Sequence, residues 1–121
     1  MRKKILLVDD DEAVLDYLRA KIGGRYELVP TSSPASVLEL VRQERPDLVL
    51  CDVDMPEMDG GDISAALFAD DEVRHIPLLF ITGVASADTL KRLSGQLGGR
   101  RVVSKSIAVP DLCAVIDSLI G

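Results

Sequence analysis

The chain has 121 residues, the size of one domain, and with 47% apolar residues it can bury roughly two-thirds of its unfolded surface, which argues against disorder and against a second globular unit. Twenty Asp and Glu against 14 Lys and Arg give a formal net charge of −6, a poor match to the phosphates of nucleic acid. Apolar runs at 5–8, 48–51 and 78–81 are far shorter than the roughly 20 residues a membrane-spanning helix needs.

Short apolar runs alternate with helical patterns, the mark of a parallel sheet with crossover helices. The basic start at 2–4 and the first strand, expected over Lys4–Val8, are cut off by acids at 9–11, so no secretory signal is read and the protein is expected in the cytoplasm. Val14, Leu18 and Ile22 then mark a helix face. Gly23 and Gly24 close it and should supply the left-handed conformations that helix ends favour. A second strand is expected over 27–30. Ser33 before Pro34 reads as an N-cap with proline at the first helical position, opening a helix with Val37, Leu38 and Val41. The third strand, 48–51, is apolar throughout and the fourth, Leu78–Thr82, up to its last residue, as strands covered on both faces should be. Ile63, Ala66 and Leu67 pattern the helix between them. Leu90, Leu93 and Leu97 mark the next helix, ended by Gly98 and Gly99. A fifth strand is expected over Arg101–Ser104, and the last helix opens near Pro110 with Leu112, Val115, Ile116 and Leu119 on one face. These are five β/α units, an α/β fold in a single domain over residues 1–121.

Open α/β sheets place their sites at the C-terminal ends of the strands, where this chain puts Asp9, Asp10, Asp52, Thr82 and Lys105. If the strand order is the flavodoxin-like 2-1-3-4-5, all of them converge on Asp52. Carboxylates gathered within about 4 Å repel by roughly 4 kcal/mol per pair at an effective dielectric near 20. Oxygen donors without His or Cys suit a hard cation, and Mg2+ fits best because it keeps waters and phosphate oxygens among its ligands. Lys105 supplies a second positive charge. A carboxylate so placed is a nucleophile toward phosphorus, which would turn Asp52 into an acyl phosphate, with the Thr82 hydroxyl drawn toward the new group.

The motifs Leu7-Val8-Asp9-Asp10, Asp52-Val53-Asp54-Met55-Pro56 followed by Met58-Asp59-Gly60, Ile81-Thr82-Gly83 and Val103-Ser104-Lys105 resemble, in order and over about residues 4–120, the receiver domain of two-component response regulators. That resemblance implies a flavodoxin-like doubly wound five-stranded sheet with five helices. It implies that Asp52 takes a phosphoryl group from the phosphohistidine of a sensor histidine kinase or histidine phosphotransfer protein. Asp10 would hold magnesium directly, Asp9 through water, and Asp54 by its main-chain carbonyl. Thr82 and Lys105 match the switch hydroxyl and the phosphate-binding lysine. An output protein or domain, or a second copy of the chain, would meet the face from about Thr89 to Leu119. Such a domain is a signalling element rather than an enzyme, catalysing only its own phosphorylation and dephosphorylation.

The sequence departs from the pattern at three places. Ser106 replaces the proline that usually follows the lysine, Val102 replaces an aromatic on the fifth strand, and Val84 occupies a position that tunes attack by water, so slow self-dephosphorylation is expected. Two other readings compete. One is a degenerate receiver kept as a phosphorylation-independent interaction module. The other takes Asp52 and Asp54 as the paired acids of a haloacid-dehalogenase-type phosphatase, against which stand the pair's place after the third strand and the Asp9-Asp10 pair. His75 reads as an inert surface imidazole, and Cys51 and Cys113 as buried, reduced thiols.

Overall fold

The computed structural model describes residues 2–53, 60–83, 86–97 and 100–120. Strands β1 (Lys4–Val8), β2 (Glu27–Thr31), β3 (Leu48–Asp52), β4 (Leu78–Thr82) and β5 (Arg101–Ser104) alternate with helices α1 (Glu12–Ile22), α2 (Val37–Glu44), α3 (Gly60–Phe68), α4 (Ala87–Gln96) and α5 (Val109–Ile120). Every strand pairing is parallel and the order is β2-β1-β3-β4-β5, the doubly wound flavodoxin-like sheet.

Side chains alternate across a pleated strand, so each strand feeds two cores. Leu6, Val8, Val49, Cys51, Leu78, Phe80 and Val102 face one side, where they pack with Val37 and Val41 of α2 and Ile63 and Leu67 of α3. Ile5, Leu7, Leu48, Leu50, Leu79, Ile81 and Val103 face the other, against Leu15, Leu18 and Ile22 of α1 and Leu112 and Ile116 of α5. All residues of β3 and β4 are buried, as central strands require, while the edge strand β2 is only partly covered. Pro30 lies in β2 opposite Leu7. The Glu27 N–H donates to Lys3 and the Thr31 carbonyl accepts from Asp9, so residues 27, 29 and 31 turn their backbone groups toward β1 and Pro30 faces outward.

The structure corrects several boundaries and caps. Strands β2 and β3 each run one residue further than their apolar runs, because Thr31 and Asp52 still take part in the ladder. Residues Pro34–Ser36 form a single 3-10 turn before α2, and Ser33 makes no side-chain capping bond; its carbonyl accepts from the Ser36 N–H and hydroxyl instead. Gly23 is right-handed, with φ −65°, and a Cβ there would lie 2.4 Å from the Arg19 carbonyl oxygen, so close approach rather than handedness calls for glycine. The left-handed cap belongs to Arg45, φ 48°, whose N–H donates to Val41. Pro46 follows and stops the helix. Cys51 is buried, but Cys113 is only partly so. Gly98 and Gly99 lie outside the described residues.

One polar clasp ties α5 to the start of β2. The Tyr26 hydroxyl donates to Asp117 Oδ1 at 2.7 Å, Arg25 pairs with the same carboxylate, and Arg25 Nε donates to Tyr26 at 3.1 Å. Tyr26 first, then Arg25, hold the Asp117 carboxyl below the usual carboxylate range. A depressed folded-state pKa stabilises above the unfolded value of about 4, and that contribution is lost as pH falls through the folded value. Asp117→Asn is therefore expected to lower the thermal midpoint by a few degrees at neutral pH, with the gap to wild type closing below about pH 4 in a calorimetric pH series. Phe80→Ala empties a fully buried position between Cys51 and Val102, and a loss of about 3–5 kcal/mol is expected by urea unfolding.

Candidate functional site

Four strand ends meet at one edge of the sheet, since β1 and β4 flank β3 and β5 lies beside β4. Asp9 follows β1 directly, and Asp52 is the last residue of β3. A short polar turn sets the first acid. Asp9 Oδ1 accepts the Asp11 N–H at 2.9 Å, and Asp11, the N-cap of α1, accepts from Ala13 at 2.9 Å. Asp9 is 2% exposed and Asp52 4%, while Asp10 is open to solvent. One carboxylate oxygen from each of the three lies within 4.8 Å of the others.

Lys105 answers this charge. Its Nζ stands 3.2 Å from Asp9 Oδ2 and 3.3 Å from Asp52 Oδ1. Burial pulls its pKa down, but Asp52 and Asp9 outweigh burial and hold the ammonium above the ordinary lysine value. The turn that carries Lys105 compensates for the missing proline with hydrogen bonds. Ser104 Oγ accepts the Ser106 N–H at 3.1 Å, a donor proline would lack, and lies 2.8 Å from the Ser106 hydroxyl. The Lys105 N–H donates to the Thr82 carbonyl at 2.7 Å. No cis peptide bond occurs among the described residues. Thr82 ends β4, 1% exposed and in register with Ser104.

The structure thus brings together Asp9, Asp10, Asp52 and Lys105, with Thr82 at the adjoining strand end. The sequence reading did not anticipate Ser104, although a Ser-x-Ser pair around a key lysine is the signal of a side-chain-stabilised turn. Asp54 and Val84 lie outside the described residues. Cys51 adds no ligand: burial, followed by the charges of Asp52 and Asp9, pushes its thiol far up and keeps it protonated. His75 is exposed on the loop before β4.

The donor set fits a hard divalent cation. All three close ligands are carboxylate oxygens, one face is open to water, and the buried Asp9 Oδ2 faces the Lys105 ammonium at 3.2 Å with no well-aligned hydrogen bond, leaving it available to a cation. Beside the cluster, between α1 and the turn after β5, an apolar recess of about 220 Å³ is lined by Val14, Tyr17, Ile81, Lys105, Ile107 and Leu112.

Comparison with known proteins identifies the class. The response regulator receiver domain family matches residues 5–117, and the chain belongs to it. Among curated relatives, the polar-differentiation response regulator DivK of Brucella anthropi is 35% identical over 122 residues, covering 100% of this chain and 98% of its own, and its counterpart in Brucella abortus is 34% identical over the same span. Solved structures share the fold. The receiver domain of a sensor histidine kinase of Pseudomonas aeruginosa, which has magnesium in its active-site cleft, superposes with a TM-score of 0.86 at 21% identity over 100% of this chain and 99% of its own. The chemotaxis protein CheY4 of Vibrio cholerae gives 0.84 at 21% identity over 98% and 99%. Family membership makes this a signalling domain and sets aside the phosphatase alternative. Among the described residues, no helix is long and apolar enough to cross a membrane.

Removing one of the crowded charges tests the electrostatics directly. Asp52→Asn is expected to raise the thermal midpoint by a few degrees in chelator, because repulsion among Asp9, Asp10 and Asp52 is relieved, and the gain should shrink when magnesium is added. A lower midpoint in chelator would contradict the repulsion.

Proposed function

We propose that this receiver domain, residues 1–121, accepts a phosphoryl group on Asp52 from a partner's phosphohistidine and thereby changes which protein it binds. The observation that carries the reading is the Asp52 carboxylate: buried, at a strand end, 3.3 Å from an ammonium and sharing a cluster of carboxylate oxygens with Asp9 and Asp10.

The side chains of Asp9, Asp10 and Asp52, with the main-chain carbonyl of Asp54, would hold Mg2+. When bound, the ion supplies positive charge that offsets the oxygens of the incoming phosphoryl group. Asp52 attacks phosphorus, forming a P–O bond as the P–N bond to the donor imidazole breaks; the released imidazole takes up a proton from solvent. Lys105 moves its charge from Asp9 and Asp52 toward the new phosphoryl oxygens. The Thr82 hydroxyl donates to one of those oxygens, and its displacement begins the rearrangement read by the surface from Thr89 to Leu119. An output protein or domain is the expected reader.

The donor is a cytoplasmic sensor histidine kinase or histidine phosphotransfer protein. Its histidine-bearing surface would seat over the recess between α1 and the turn after β5, where Tyr17 is 49% exposed beside the site. Such seating suits an apolar partner surface that brings one polar atom to Asp52.

Incubation with magnesium and acetyl phosphate, read by intact-mass spectrometry, tests the assignment. Wild type is expected to gain one phosphoryl group and Asp52→Asn none, with Asp10→Asn slowed at least about tenfold. Equal modification of wild type and Asp52→Asn would overturn it.

A further inference from the structure

Away from the site, most arginines of this surface stand against an acid; Arg2, which donates to the Gly23 carbonyl, is an exception. Arg19 pairs with Asp16, Arg25 with Asp117, Arg42 with Asp70, Arg45 with Glu72 and Arg74 with Asp71. The stretch between Asp88 and Asp111 breaks the habit. Its 22 residues carry five cations and no acid, while the rest of the chain carries 20 acids and nine cations.

One of the five, Lys105, is committed to Asp9 and Asp52. Arg100 is turned partly inward, donating to the Ser64 hydroxyl at 3.3 Å. The other three stand exposed: Lys91 and Arg92 on α4, and Arg101 at the first position of β5. Among the described residues none of these three makes an ion pair; Arg92 reaches only the Thr89 hydroxyl, at 3.4 Å. Because α4 is the crossover between parallel strands, its C-terminal end leads into the start of β5. Arg92 is four residues from that end, about 6 Å of helix rise. Val102 faces the layer that Leu90 and Leu97 join, so Arg101, one position before it, faces the α5 side, and the three charges flank the same outer strand, Lys91 and Arg92 from α4 and Arg101 from the strand itself.

We propose that the α4–β5 margin docks an acidic polypeptide segment of the partner, and not a second copy of this chain in a symmetric pair. The proposal rests on the reading of this face as the output surface and supplies its chemistry. A two-fold contact sets the same patch against itself, which would oppose Lys91, Arg92 and Arg101 to their own copies. The neighbouring helix offers little relief. Of its acids, Asp117 is already held by Arg25 and Tyr26, leaving Asp111. A long polyanion such as nucleic acid would run beyond the patch toward the rest of a chain in which acids outnumber cations by 20 to nine. With a screening length of about 8 Å at physiological salt, a short acidic segment feels the patch and little of the rest.

The test is fluorescence anisotropy with a labelled peptide of alternating Glu and Leu, its Gln–Leu counterpart and a labelled oligothymidylate, with sedimentation velocity to report association. Wild type is expected to bind the Glu peptide at least about tenfold more tightly than the Gln peptide, and more weakly as salt rises. Lys91→Glu, Arg92→Glu and Arg101→Glu combined should abolish that preference; the milder Lys91→Gln, Arg92→Gln and Arg101→Gln set, checked by circular dichroism, should reduce it in a folded protein. Equal binding of the two peptides, a preference unchanged by either set, tighter binding of oligothymidylate, or a dimer dissolved by the same substitutions would each overturn the proposal. Intact-mass readout of acetyl phosphate treatment runs alongside. Failure of Asp52 phosphorylation there would defeat the proposed function, while the peptide contrast decides the docking chemistry by itself.

Discussion

Two buried carboxylates from different strand ends, Asp9 and Asp52, bring oxygens within 4.8 Å of each other at one edge of the sheet, and Lys105 bridges them. This enforced proximity is the constraint on which the rest of the structure depends. Holding like charges together requires a rigid frame, and the frame is two apolar layers locked on either side of β1, β3 and β4. The sheet stores a local electrostatic tension at its C-terminal edge and resists it with packing. A divalent cation or a phosphoryl group relaxes that tension, which is how a small chemical event at one edge gains leverage over a closely packed domain.

Much of this frame was legible in the sequence for a simple reason. Strands β3 and β4 are buried on both faces, so they read as unbroken apolar runs, and the first polar residue after each run marks the edge where chemistry gathers. Helices with one buried stripe, such as α1, announce themselves by spacing: Leu18 and Ile22 are buried as expected, although Leu15 takes the fully buried place and Val14 is only partly covered. Asp9, Asp10, Asp52 and Lys105 followed once the strand order placed their ends together. Less legible were features decided by backbone geometry rather than by side-chain character. The 3-10 turn at Pro34–Ser36 and the left-handed Arg45 depend on how the chain must re-enter the sheet, which no local pattern encodes. Gly23 was misread for a related reason: glycine signals both positive φ and close approach, and only coordinates tell them apart.

The departures from the family's usual residues have structural consequences of different weight. Replacing proline by Ser106 does not free the lysine, because Ser104 and Ser106 build a hydrogen-bonded turn that returns Lys105 to the two carboxylates. Rigidity supplied elsewhere by a ring is supplied here by donors and acceptors. Val102 is different: it is buried within the layer that includes Phe80 and Leu97, so no large side chain on β5 alternates between an inward and an outward position at that place. β5 instead meets its surroundings through two valines, Val102 in one apolar layer and Val103 in the other.

Pro30 has a further consequence at the opposite margin. On β2, the backbone groups that face away from β1 belong to Leu28 and Pro30, and a proline brings no hydrogen to donate, so a visiting strand would find a single N–H in that stretch of ladder. The border is thus blunted against unwanted strand addition, the first step by which an exposed sheet seeds aggregates. One imino acid guards the edge at no expense to the ladder on its inner side.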